Sequence, residues 1–153
     1  MDDERNRNRP SHAGARVVDD EMFRFLVDLE VEKAQRLRYC LTLACLTTDG
    51  VPAETGEPSV SSLAENVTRH LRSTDVVAPR TPTSLILLFV DAETTHLPLI
   101  LRRLSTGLEA VGWSAGGSCY PKTAIRAEDM LRQAADLMAK AQGEGGNRLC
   151  VAA

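Results

Sequence analysis

Aromatic residues make up only 4% of the 153-residue chain. That leaves little stacking surface for single-stranded nucleic acid. Positive charge is not in surplus either: 21 acids face 18 bases, for a net charge of −3. Such a balance argues against binding nucleic acid through bulk cationic charge. Lysine is scarce, with Lys33, Lys122 and Lys140 the only examples and arginine supplying the rest of the bases. There is no C-x-x-C. Cys40, Cys45, Cys119 and Cys150 stand apart, and His12, His70 and His96 lie far from them in sequence, so no structural zinc site is expected. All four thiols sit in or beside apolar runs, as small buried hydrophobes do in a reduced, cytoplasmic setting. No apolar run approaches the length of a membrane span. The polar start, MDDERNRNRP, lacks the apolar stretch of a signal peptide.

What is present is the composition of one globular domain, 43% apolar and 25% charged. Residues 1–17 are expected to be a disordered tail, being charged and without periodicity, and residues 18–153 the domain. Asp19-Asp20 opens a helix whose apolar residues are Met22, Leu26, Leu29 and Leu37, joined by Phe23 and Ala34. Tyr39 to Leu46 reads as a buried strand. Residues 48–59 are turn chemistry. Ser62-x-x-Glu65 is a capping box that starts a helix with Val60, Ala64, Val67 and Leu71 on one face.

Val76 to Ala78 is a short strand and Leu85 to Val90 a buried one. The prolines between them, Pro79 and Pro82, forbid a regular ladder there. Leu97, Ile100, Leu101, Leu104 and Leu108 stripe a further helix that tolerates Pro98 in its first turn. A strand notched by Gly112, Gly116 and Gly117 follows. A helix from about Arg126 carries Ala127, Met130, Ala134, Met138 and Ala141 at helical spacing, and Leu149 to Ala152 forms an edge strand. The inner order β-α-β-β-α-β predicts an α+β domain with a ferredoxin-like sheet and its helices on one face.

Several segments, taken in order, give this chain its resemblance to the GGDEF family, the bacterial diguanylate cyclase domain. Phe25 to Leu46 resembles the family's lead-in helix and first strand. Arg72-Ser-Thr-Asp75-Val-Val-Ala78 resembles its R-x-x-D-x-V-A segment. Ser114-Ala-Gly116, Tyr120-Pro121, Met130-Leu-Arg-Gln-Ala134 and Gly145-Gly-Asn147-Arg148 follow in the family's order and spacing, and together they cover nearly everything after residue 20.

The resemblance implies a cyclase whose chemistry has been lost. Family cyclases hold two divalent ions with an aspartate at the end of the first strand and an acid in the GGDEF turn. Here Thr47 stands at the first of these positions. The turn reads Thr81-Pro82-Thr83-Ser84-Leu85, with both glycines gone and Thr83 and Ser84 in place of the acids. Neutral hydroxyls replace anionic oxygens poorly at magnesium, and without metal a triphosphate is not neutralised. The segment after Asp49 is also short and lacks the family's guanine-reading pattern. The expectation is therefore no enzyme activity, no catalytic residue, no metal and no cofactor.

One family element persists. The inhibitory site of these cyclases, R-x-x-D, binds the product cyclic di-GMP, and Arg72 and Asp75 keep its spacing to the degenerate turn. An arginine fork suits guanine O6 and N7 or a phosphate, and a carboxylate suits guanine N1–H and N2–H. The resemblance further implies that Arg103, on the helix after the degenerate turn, completes the site from a second chain in a homodimer. Taken alone, an arginine and an aspartate three apart at a helix end also describe a solvated ion pair. Two functions follow. One is a signalling receptor for cyclic di-GMP that acts through an unknown protein partner. The other is a nucleotide-independent interaction module with the same fold.

Overall fold

A computed structural model describes residues 14–49, 67–81, 83–108 and 112–153. The elements are β1 (Arg16–Val17), α1 (Asp20–Leu37), β2 (Leu41–Asp49), β3 (Val76–Thr81), β4 (Ser84–Val90), a 3-10 turn (Thr94–His96), α2 (Leu97–Leu108), β5 (Gly112–Tyr120), α3 (Ala127–Gly143) and β6 (Arg148–Val151). The strands form one sheet in the order β1-β3-β4-β2-β5-β6. The inner four, β3-β4-β2-β5, are antiparallel throughout and have the ferredoxin-like order expected from sequence. β1 and β6 add to the two edges in parallel.

The described end of the helix before β3 and α2 share one face of the sheet, as expected of the inner β-α-β-β-α-β unit, and α1 and α3, outside that unit, cover the other. The reason is in β4, where successive residues are apolar and point alternately to opposite sides. Leu85, Leu87 and Phe89 pack with Leu97, Leu101 and Leu104 of α2. Ile86 and Leu88 pack with Phe23 and Val27 of α1 and Met130 of α3. Val67 and Leu71, the described end of the helix expected from Ser62, join the α2 side. The rest of that helix and nearly all of the 48–59 turn lie outside the described residues.

Two expectations are corrected. Arg16 and Val17, placed in the tail, pair in parallel with Val76 and Val77, and the Ala15 N–H reaches the Thr68 carbonyl at 3.2 Å. A two-residue strand is too short to leave a period. The apolar face of α1 is also rotated. Phe23, Val27 and Ala34 are buried, whereas Met22, Leu29 and Leu37 are 46%, 38% and 70% exposed. This helix carries two apolar stripes, and only one can face the sheet. Its ends are as the sequence suggests at the start, where the Asp19 carboxylate accepts the Met22 N–H at 2.7 Å. It stops at Arg38, in the left-handed region at φ 60°.

β3 runs three residues past Ala78, but its ladder is irregular between Pro79 and Thr81. β1 covers only the start of β3, so these residues lie at the sheet edge, where proline is tolerated. Gly116 is required by packing. A Cβ there would collide with the Ala134 carbonyl oxygen and the Met138 nitrogen, main-chain atoms of α3. Asn147 accepts the Trp113 N–H at 3.2 Å and so ties the last turn to the start of β5. Cys45 and Cys119 are buried, Cys40 and Cys150 half-buried, and all four are free thiols.

Candidate functional site

The end of β2 meets the β3–β4 connection. Register pairing sets Thr47 between Ser84 on one side and Ser114 on the other. Leu46, Leu85 and Ala115 belong to the α2 side, so the alternation of the strands puts Thr47, Ser84 and Ser114 on the opposite face. All three are buried. The Thr83 carbonyl collects three donors: the Thr47 hydroxyl at 3.3 Å, the Thr48 hydroxyl at 3.4 Å and the Thr48 N–H at 2.9 Å. Thr81 and Ser84 share a hydroxyl–hydroxyl hydrogen bond of 2.6 Å.

The side chains at the Thr47, Thr83 and Ser84 positions are thus neutral, and those of Thr47 and Ser84 are bonded within the protein. Among the described residues no group of three His, Cys, Asp or Glu is placed to hold a metal ion. Ser114 Oγ is buried without a hydrogen-bond partner. Its place in this row was not read from sequence, because cross-strand register carries no local signal.

Arg72 and Asp75 are brought together, in a turn that leads into β3. The Asp75 carboxylate accepts the Arg72 backbone N–H at 2.9 Å through Oδ2, and the Asp75 N–H donates to the Arg72 carbonyl at 3.0 Å. The guanidinium Nη2 donates to the Val90 carbonyl at 2.6 Å and lies 3.5 Å from Asp75 Oδ1. The two side chains differ sharply in access, 58% exposed for Arg72 and 3% for Asp75. Asp75 Oδ1 is buried and has no hydrogen bond of its own. Burial pushes the Asp75 carboxyl above its ordinary value, and the Arg72 N–H and guanidinium pull it part of the way back.

Sequence spacing placed both groups together but assigned both to a ligand. The structure turns the carboxylate inward to close its own turn, and leaves the guanidinium at the surface. The Val90 carbonyl, the strongest partner of that guanidinium, was not foreseen, since it comes from the neighbouring strand. Arg103 is exposed on α2. Among the described residues no hydrogen bond or ion pair joins it to Arg72 or Asp75.

No protein-family model and no curated protein matches this sequence. Solved structures do match. The GGDEF domain of YfiN (TpbB) from Pseudomonas aeruginosa superposes with a TM-score of 0.78 at 15% identity, over 89% of this chain and 96% of that one. The GGDEF domain of DgcB from Caulobacter crescentus, solved in complex with c-di-GMP, gives 0.75 at 13% identity over 88% of each. The diguanylate cyclase SiaD of Pseudomonas aeruginosa, solved with its activator SiaC, gives 0.74 at 18% identity, over 88% of this chain and 58% of that one. The molecule is an α+β domain with a ferredoxin-like antiparallel core, extended by a parallel strand at each edge. Within that class it has the GGDEF-domain fold. Among the described residues no helix is long and apolar enough to cross a membrane.

Proposed function

We propose that this chain is a catalytically inactive GGDEF-fold signalling domain that acts through a protein partner and contacts cyclic di-GMP through Arg72. The observation that carries the first half is the neutral row at the end of β2. Thr47 and Ser84 stand where metal-holding acids are expected, and their hydroxyls are spent on Thr83 and Thr81. A divalent ion that must hold a triphosphate needs anionic oxygens in near-octahedral array. Incubated with GTP and Mg²⁺ or Mn²⁺, the purified protein forms no cyclic di-GMP above a blank. Turnover that survives removal of contaminating cyclases overturns this.

The ligand reading rests on the exposed guanidinium. Nη2 is engaged by the Val90 carbonyl, and the planar, permanently charged side chain is more than half exposed. The GGDEF-fold relative from Caulobacter that carries c-di-GMP supports this choice of ligand. Asp75 then serves mainly to fix the turn that presents Arg72. Loss of a charged donor fork is worth about 1.5–3 kcal/mol, so Arg72→Ala lowers affinity on the order of tenfold to a hundredfold. A ligand that bridges two chains through Arg103 makes Arg103→Ala lower both affinity and ligand-induced dimerisation.

One observation favours the second reading, an interaction module without a nucleotide. The carboxylate expected to read guanine is buried and bonded to the backbone of its own turn. In that case Arg72 and Asp75 are structural partners only, and the wild-type protein itself gives no heat with cyclic di-GMP.

A further inference from the structure

We propose that the groove between α1 and the start of α3 is the docking site for a basic amphipathic helix of a partner protein. The groove has a volume of about 560 Å³ and an apolar lining from Phe25 and Leu29 of α1 and Ile125 of the β5–α3 connection. Phe25 is 60% exposed and Ile125 69%. Met22, 46% exposed, extends the same strip toward the start of the helix. Met22, Phe25 and Leu29 recur at i, i+3 and i+7, the spacing at which one helix meets another. A contiguous apolar strip of this kind on a helix whose other apolar face is already buried marks an interaction surface.

The rim decides the occupant. Asp28 and Glu32 of α1 and Glu128 of α3 line the groove with Arg126 as the one opposing charge. Asp28, Glu32 and Glu128 are exposed. Three other acids of the two helices are already paired, Asp20 with Arg24, Glu30 with Lys33 and Asp129 with Arg132. A second copy of α1 laid in the groove would bring Asp28 and Glu32 against the same acids, which is unfavourable. The first thirteen residues, MDDERNRNRPSHA, offer only Met1 and Ala13 as apolar anchors. A helix with an apolar face flanked by lysine or arginine satisfies both the strip and the rim. The proposal deepens the reading that the domain acts through a protein partner, and it is independent of the nucleotide contact at Arg72.

The test uses the full chain and a fluorescein-labelled amphipathic peptide of roughly 18 residues made of Leu and Lys, with a Leu/Glu peptide of the same pattern as its counterpart. Fluorescence anisotropy is expected to show the Leu/Lys peptide binding at least about tenfold more tightly than the Leu/Glu one, and more weakly as salt rises. Phe25→Asp, at an exposed position, lowers that affinity at least about tenfold with an unchanged melting temperature and an unchanged cyclic di-GMP isotherm. The double change Asp28→Lys, Glu32→Lys inverts the preference between the peptides. The proposal is overturned by three results: no Leu/Lys binding at about 100 μM, a peptide affinity that Phe25→Asp leaves intact, or a dimer in sedimentation that Phe25→Asp dissociates. None of these bears on the calorimetric titration of the nucleotide, so the two readings fail separately.

Discussion

Removing the Asp75 carboxylate tests whether this residue builds the turn or waits for a ligand. In Asp75→Ala the Arg72 N–H loses its acceptor at 2.9 Å. A hydrogen bond to a charged acceptor contributes about 1.5–3 kcal/mol. The Nη2 contact at 3.5 Å adds little, because the guanidinium is more than half exposed and screened. Relief of the buried carboxylate offsets part of the loss, which leaves a net destabilisation of about 1–2 kcal/mol. For a chain of this length that lowers Tm on the order of 2–8 °C. Asp75→Asn keeps an acceptor oxygen without the buried charge and stays within about 1 kcal/mol of wild type.

The pH dependence separates the two substitutions further. The folded-state carboxyl titrates above its ordinary value of 3.8 because it is buried. As pH falls through the folded value, the folded state takes up a proton first, and the contribution of this group to stability rises until the unfolded value is passed. Asn has no such dependence. The stability of Asp75→Asn relative to wild type is therefore greatest at neutral pH and declines toward pH 4. Urea unfolding followed by the fluorescence of Trp113, the single tryptophan, reads all of this in one series. An Asp75→Ala protein within about 0.5 kcal/mol of wild type, or a wild-type-to-Asn gap that does not move with pH, would refute the reasoning.

Gly116→Val sets a Cβ against main-chain atoms of α3 that cannot rotate away. Overpacking costs about 1–3 kcal/mol and this case falls at the upper end, a Tm loss on the order of 6–12 °C by calorimetry; an unchanged Tm contradicts the close approach of α3 to β5. The Tyr39 hydroxyl donates to Glu30 at 2.7 Å, and burial and that carboxylate together push its pKa up to about 12. Ultraviolet difference titration of wild type against Tyr39→Phe places this tyrosine there, and the stability it supplies is full below pH 10 and lost as pH rises through about 12. A Tyr39 midpoint near 10 would remove the Glu30 contact from the account.

The order of elements was legible in the sequence because each long element carries a clean period. The run LILLFV at 85–90 also held the information that both faces of the sheet are covered, since an uninterrupted apolar strand has no side for water. The inner order β-α-β-β-α-β accounted for one layer only; the other face is filled by α1 and α3, which lie outside that unit. On α1 the period was visible and its phase was not: Met22, Leu29 and Leu37 are as apolar as Phe23 and Val27, and the choice between the stripes is made by the sheet and α3. That ambiguity is itself the mark of a helix with a second surface to fill. At the site, spacing placed Arg72 beside Asp75, and the family resemblance placed Thr47 near the turn at Thr83 and Ser84. Spacing was silent on direction, so neither the inward turn of the Asp75 carboxylate nor the Val90 carbonyl under the guanidinium was legible.

Isothermal titration calorimetry of the wild-type protein with cyclic di-GMP, with GTP and Mg²⁺ as the parallel titrant, bears most directly on the proposal that this domain binds cyclic di-GMP and does not make it. The account predicts saturable heat with cyclic di-GMP that weakens on the order of tenfold to a hundredfold in Arg72→Ala, and none with GTP. No heat with cyclic di-GMP at high micromolar concentration, or a wild-type isotherm in Arg72→Ala, would contradict it.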